Sequence, residues 1–115
     1  MRQRETRCYD FFMEVIMLPP VEKFLNSLEK DDRADVGRLL YALSLYGHSL
    51  GMPFAKPIGD GLWELRKTGR PQIRILYGFC KHSAILLVGV KKQRPSLENR
   101  DLTLAQKRFA AYCGI

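Results

Sequence analysis

Residues 62–90 contain three runs of alternating or continuous apolar character with almost nothing between them: LWELRK (62–67), QIRILYGFC (72–80) and AILLVGV (84–90). The connections TGRP and KHS have hairpin length, so the three runs predict an antiparallel meander. Alternation then sorts the side chains. In the middle run Ile73, Ile75, Tyr77 and Phe79 point one way, while Gln72, Arg74, Leu76 and Gly78 point the other. In the first run Trp63 and Leu65 go with the apolar set, and Leu62, Glu64 and Arg66 with the second. A turn that sets Arg66 against Gln72 would place Glu64 opposite Arg74 and gather three charges on one face. A one-residue slip would bury all three, so the pattern excludes it.

The remaining elements must cover that sheet. Residues 9–17 predict a strand that ends at Pro19 and Pro20, and Pro20 suits the first position of a helix. Val21, Phe24, Leu25 and Leu28 follow at i, i+3, i+4 and i+7, an apolar helical stripe. Asp31 or Asp32 can cap a second helix with the stripe Val36, Leu39, Leu40, Leu43 and Tyr46, which Gly47 stops. Residues 47–61 read as loop, and a last helix is predicted over residues 97–112 with Leu102, Ala105, Phe109 and Tyr112 on one side. The order βααβββα predicts one α+β domain over residues 1–115. It would have a small antiparallel sheet, an N-terminal helical hairpin on one face and a C-terminal helix. The charged face, left open by the hairpin, would be the working surface.

Charge supports a working surface for an anion. Residues 1–55 hold seven Lys/Arg against eight Asp/Glu, whereas residues 56–100 hold ten against three. Nearly the whole net charge of +7 therefore lies in the strand-rich block, as expected for a chain that meets a polyanion. Cys8, Cys80 and Cys113 have neither CxxC nor ligand spacing and predict unpaired thiols in a reducing cytoplasm. The start of the chain lacks a signal-peptide pattern, since Asp10 and Glu14 interrupt its apolar run, and no run is long enough to span a bilayer. The expectation is a cytoplasmic protein with no membrane association. His48 at a helix end and His82 in a turn have no partner in sequence. Nucleotide-loop, zinc-protease and serine-hydrolase motifs are absent.

The blocks GDGLWELR, RILYGF, ILLVGVKK and LAQKRFAAY, with VEKFLNSL and LYGHSLGMP before them, resemble the RelE/HigB superfamily of toxin–antitoxin toxins, and most of all its phage-derived HigB-like branch. The resemblance runs from about residue 19 to residue 112. It implies a RelE-like α+β fold and an endoribonuclease, an mRNA interferase that cleaves mRNA, often on the ribosome. It also implies a partner antitoxin, commonly a helix-turn-helix protein, and neither cofactor nor metal. By position in the motifs, Arg74 matches the arginine most associated with catalysis and Arg66 a recurrent basic strand position. Lys91 and Lys92 fall where many members place a catalytic or phosphate-binding cation after the last strand. Glu64 stands where some members have lysine, so a lysine base does not transfer to it. Lys56, Lys67, Arg70 and Arg94 complete the expected RNA-binding set.

Such cleavage uses the 2′-OH as nucleophile on the adjacent phosphate. It needs a base, cations for the phosphorane and an acid for the leaving 5′-oxygen. Arginine suits the cation role because its fork matches phosphate oxygens, and it cannot act as the base. Glu64, Lys91 and Lys92 remain open as proton-transfer groups. The alternative reading is a non-enzymatic toxin of the same fold acting on a protein such as DNA gyrase. A third is a basic adaptor that retains only antitoxin binding.

Overall fold

The computed structural model describes residues 12–92 and 99–114. In chain order the elements are β1 (Glu14–Met17), α1 (Pro19–Asn26), α2 (Lys30–Tyr46), β2 (Ala55–Gly59), β3 (Leu62–Lys67), β4 (Gln72–Cys80), β5 (Ser83–Lys92) and α3 (Asn99–Cys113), with a single 3₁₀ turn at Gly47–Ser49. The sheet has five strands in the order β1-β5-β4-β3-β2. β1 runs parallel to β5 and every other pair is antiparallel, so the sheet is mixed rather than wholly antiparallel. The parallel pairing follows from the helical hairpin: a chain that leaves β1 through two helices returns on the far side of the meander.

β3 and β4 span the residues that alternation assigned to them. β2 falls where the sequence predicts loop, because Pro57 and the surrounding glycines break any strand pattern. It is an edge strand, where a missing N–H is tolerated, and its register shifts between Pro57 and Gly59. β5 continues through Lys91 and Lys92, which sequence had placed beyond its end. α1 begins one residue earlier than expected, with both prolines in its first turn. Glu29 rather than Asp31 or Asp32 occupies the N-cap of α2, and no side chain caps it; the two aspartates lie in the first turn, where negative charge complements the helix dipole.

Each face of the sheet has its own core. The hairpin packs Val21, Leu25, Leu28, Val36 and Leu43 on Leu65, Ile73, Ile75, Tyr77, Ala84 and Leu86. Trp63, Tyr77 and Phe79 form an aromatic group on this face, with ring centroids 5.6–6.3 Å apart. Gly89 permits the close approach of α1, since a Cβ there would lie 2.3 Å from the Phe24 ring. On the opposite face α3 lays Ala105 and Phe109 on Leu62, Leu76, Ile85, Leu87 and Val88. Tyr112, expected on the same stripe, is 46% exposed.

Cys80 and Cys113 are joined as a disulfide, with Cα atoms 6.0 Å apart. This corrects the reading of all three cysteines as unpaired thiols. The partners are 33 residues apart, and only the path of α3 back over the end of β4 brings them together. Cys8 lies outside the described residues. No helix among the described residues is long and apolar enough to cross a membrane.

Candidate functional site

The face away from the hairpin is divided. Its apolar half lies under α3, and its other half carries charge. Arg66 and Arg74 are direct cross-strand partners, and Glu64 lies opposite Leu76. The expected pairs Arg66–Gln72 and Glu64–Arg74 are therefore wrong by two residues. The last β3–β4 pair is Lys67 with Ile73, so the connection takes in Gln72 as well as residues 68–71. A shift of two preserves the face, and the three charges still converge. Two guanidiniums set directly opposite each other repel. Glu64 relieves this by bridging them: Oε1 lies 3.3 Å from Arg66 Nε and Oε2 3.7 Å from Arg74 Nε.

Arg74 is not open to solvent. It is 2% exposed, and its Nη2 donates to Gln72 Oε1 at 2.8 Å while Nη1 donates to the Lys67 and Ile73 carbonyls at 3.2 Å. Burial lowers the pKa of its guanidinium from the usual arginine value; Glu64 opposes that shift and Arg66 adds to it. The expectation of an open working surface around Arg74 is thereby corrected: the sheet and its turn accept from both of its terminal nitrogens, and its buried Nε faces Glu64 without a hydrogen bond. Glu64, expected on the open face, is 3% exposed. Arg66 is the outer member, with 20% of its side chain accessible and Nη1 3.4 Å from Met52 Sδ.

A β-bulge decides between the two lysines. The β4–β5 register shifts between Leu76 and Tyr77, which pair with Val88 and Leu86 respectively and leave Leu87 as the extra residue. Beyond it Val88, Val90 and Lys92 share the face of Arg74, and Lys91, paired with Ile73, turns to the hairpin side. Lys92 is 7% exposed and its Nζ lies 3.3 Å from Asp101 Oδ2 in the first turn of α3. Sequence reasoning missed Asp101; an acid in the first turn of a helix reads as a dipole partner, and only the placement of α3 brings it to Lys92.

The other expected cations are spread around this centre. Lys56 is exposed on the edge strand opposite Glu64. Arg70 is exposed in the β3–β4 turn and, with Gly69, Pro71, Gln72 and Lys92, lines a cleft of about 770 Å³. Lys67 leaves the group: it faces α2, donating to the Pro71 carbonyl at 3.1 Å with Asp32 Oδ1 at 3.3 Å. Arg94 lies outside the described residues. Among the described residues no three His, Cys, Asp or Glu side chains gather as a metal-ligand set.

The profile of the family described as phage derived protein Gp49-like matches residues 23–110, a span that takes in the second half of α1, all of α2, the meander and most of α3. This chain belongs to the Gp49-like family. It is also 37% identical over 84 residues to a protein named "Putative toxin HigB3" from Mycobacterium tuberculosis (strain ATCC 25618 / H37Rv), an alignment covering 70% of this chain and 74% of that relative.

In this Gp49-like chain the cluster has a clear chemical character. A buried carboxylate between two arginines holds their positions and leaves one guanidinium edge, that of Arg66, toward solvent. Preorganised cations of this kind stabilise an anion without reorganising when it arrives. The β3–β4 turn contributes to two separate hollows: Gly69 and Arg70 line the larger, and Thr68 with Arg66 lines a smaller one of about 250 Å³.

Proposed function

We propose that this Gp49-like protein is the toxin of a toxin–antitoxin pair and a metal-independent endoribonuclease that cleaves mRNA, acting on the ribosome and held in check by a helix-turn-helix antitoxin. One observation carries the reading: the Glu64-bridged arginine pair, whose outer member, Arg66, reaches solvent at the wall of the smaller hollow. The HigB3-named relative supports the toxin assignment.

In the reaction the 2′-oxygen attacks the adjacent phosphorus, its proton passes to a base, and the P–O5′ bond breaks as an acid protonates the leaving 5′-oxygen. Arg66 supplies charge to the phosphorane. Arg74 acts through Arg66 and Glu64 as a positioning residue, because it is enclosed in the sheet with its terminal nitrogens held by Gln72 and main-chain carbonyls. Glu64 holds the two guanidiniums apart. The proton-transfer role falls to Lys92, set against Asp101 at the wall of the larger cleft. Lys56 and Arg70 serve the flanking phosphates, while Lys91, on the hairpin side of the sheet, takes no part. The ribosome supplies the attack-ready geometry of the message, a contribution of orientation rather than of new groups.

Primer extension on translated messages after induction tests the proposal. Cleavage by the parent chain and its loss in Arg66→Ala are expected; growth arrest with intact messages would reject the nuclease. Burial of Arg74 favours one second reading, a non-enzymatic toxin acting on a protein such as gyrase, and inhibition of supercoiling by the purified chain would show it.

A further inference from the structure

The smaller hollow has a feature that phosphate chemistry does not use. Phe54 and Met52 are 50% and 63% exposed, large apolar groups beside Arg66 and just ahead of the basic strand-rich block. They do not sit on a loose loop. The Phe54 N–H donates to the Gly51 carbonyl at 3.0 Å, the Ala55 N–H donates to the same carbonyl at 3.1 Å, and the Arg66 N–H donates to the Phe54 carbonyl at 2.8 Å. The last bond extends the β2–β3 ladder by one residue, so Phe54, Arg66 and Arg74 form one row across the sheet. Adjacent strands lie about 4.8 Å apart, which puts the Phe54 backbone roughly 10 Å from that of Arg74. The hollow beside the ring is lined by Pro53, Arg66 and Asp35, and Arg38 pairs with Asp35 and offsets its charge.

A rigidly held, half-exposed aromatic ring beside an arginine is the arrangement that single-stranded nucleic acids use. The ring offers a face to any base, and the guanidinium takes the neighbouring phosphate. We propose that Phe54, with Met52 and Pro53, forms a stacking shelf for an unpaired RNA base next to the phosphate held by Arg66. The inference rests on the ribonuclease reading and adds to it a base subsite. Stacking tolerates every base, so the shelf gives affinity and register rather than a strict sequence code.

The test uses the full-length protein and a fluorescent 2′-O-methyl RNA hexamer, which lacks the nucleophile and cannot be cleaved, so binding is read apart from catalysis. Phe54→Ala should weaken binding on the order of tenfold, and Phe54→Trp should restore it. Both variants should keep the melting temperature of the parent, since half of the ring is already in water. Equal binding by Phe54→Ala and the parent would overturn the shelf, as would a loss that Trp fails to rescue. Absence of hexamer binding by the parent would overturn it too, and primer extension on messages would then decide separately whether the nuclease reading falls. Hexamer binding that depends on Phe54, in a chain that leaves messages intact, would keep the shelf and reject the nuclease.

Discussion

The two faces of the central sheet are built from the same strands and solve opposite problems. The hairpin side is sealed with Leu65, Ile73, Ile75, Tyr77 and Leu86 against two helices, and its aromatic group needs no charge to hold it. The α3 side is apolar only over half its area, and the rest is an ionic cluster of Glu64, Arg66, Arg74, Lys92 and Asp101. An apolar face tolerates loss of one neighbour at the cost of a cavity. An ionic face is all or nothing, because a buried charge stripped of its partner has neither water nor counter-charge.

The sharpest break in this contrast is Glu64→Ala. It leaves two opposed guanidiniums unbridged and should cost about 3–5 kcal/mol of stability, read from urea unfolding. A loss below about 1 kcal/mol would mean that the bridge contributes little. Arg66→Ala removes the more exposed partner and should lower message cleavage by about 10² to 10³ while the fold persists. Arg74→Ala, which alternation alone offers as the cleaner catalytic variant, should instead unfold more readily, because it empties a site that is 2% exposed, strips Gln72 Oε1 of its donor and leaves Glu64 with Arg66 alone.

On the apolar face, Gly89→Ala should cost about 1–3 kcal/mol by driving a methyl into the Phe24 ring, and Phe24→Leu in the same chain should recover part of it. The smallest effect concerns Tyr77, whose hydroxyl is buried without a hydrogen-bond partner among the described residues. Burial pushes its pKa above the usual tyrosine value. The folded state therefore holds its proton more tightly than the unfolded chain. This contribution to stability is fully present below the unfolded value of about 10 and is lost as pH rises through the folded value. Tyr77→Phe should be nearly neutral at pH 7 and should flatten the alkaline decline, as followed by melting temperature against pH.

Much of the frame was legible because it is local. β3 and β4 alternate cleanly, and the pleat alone assigns Glu64, Arg66 and Arg74 to one face; an error of two in the register leaves that assignment intact. β2 was not legible, since its proline and glycines suit an edge that only β3 defines. The Cys80–Cys113 link and the Lys92–Asp101 pair were hidden for a similar reason. Each joins the meander to α3, and no periodicity reports where a helix lands on a sheet.

What the chain determined by itself, then, is the boundaries of β3 and β4, the sidedness of their charges, and the concentration of positive charge in residues 56–100. Tertiary structure alone decided that Lys92 rather than Lys91 joins Arg74, because one extra residue at Leu87 reverses the parity of everything after it. It also decided that Arg74 is enclosed while Arg66 meets solvent. Sidedness follows from the geometry of a single strand, but register and enclosure depend on segments distant in sequence, whose arrival no local pattern encodes.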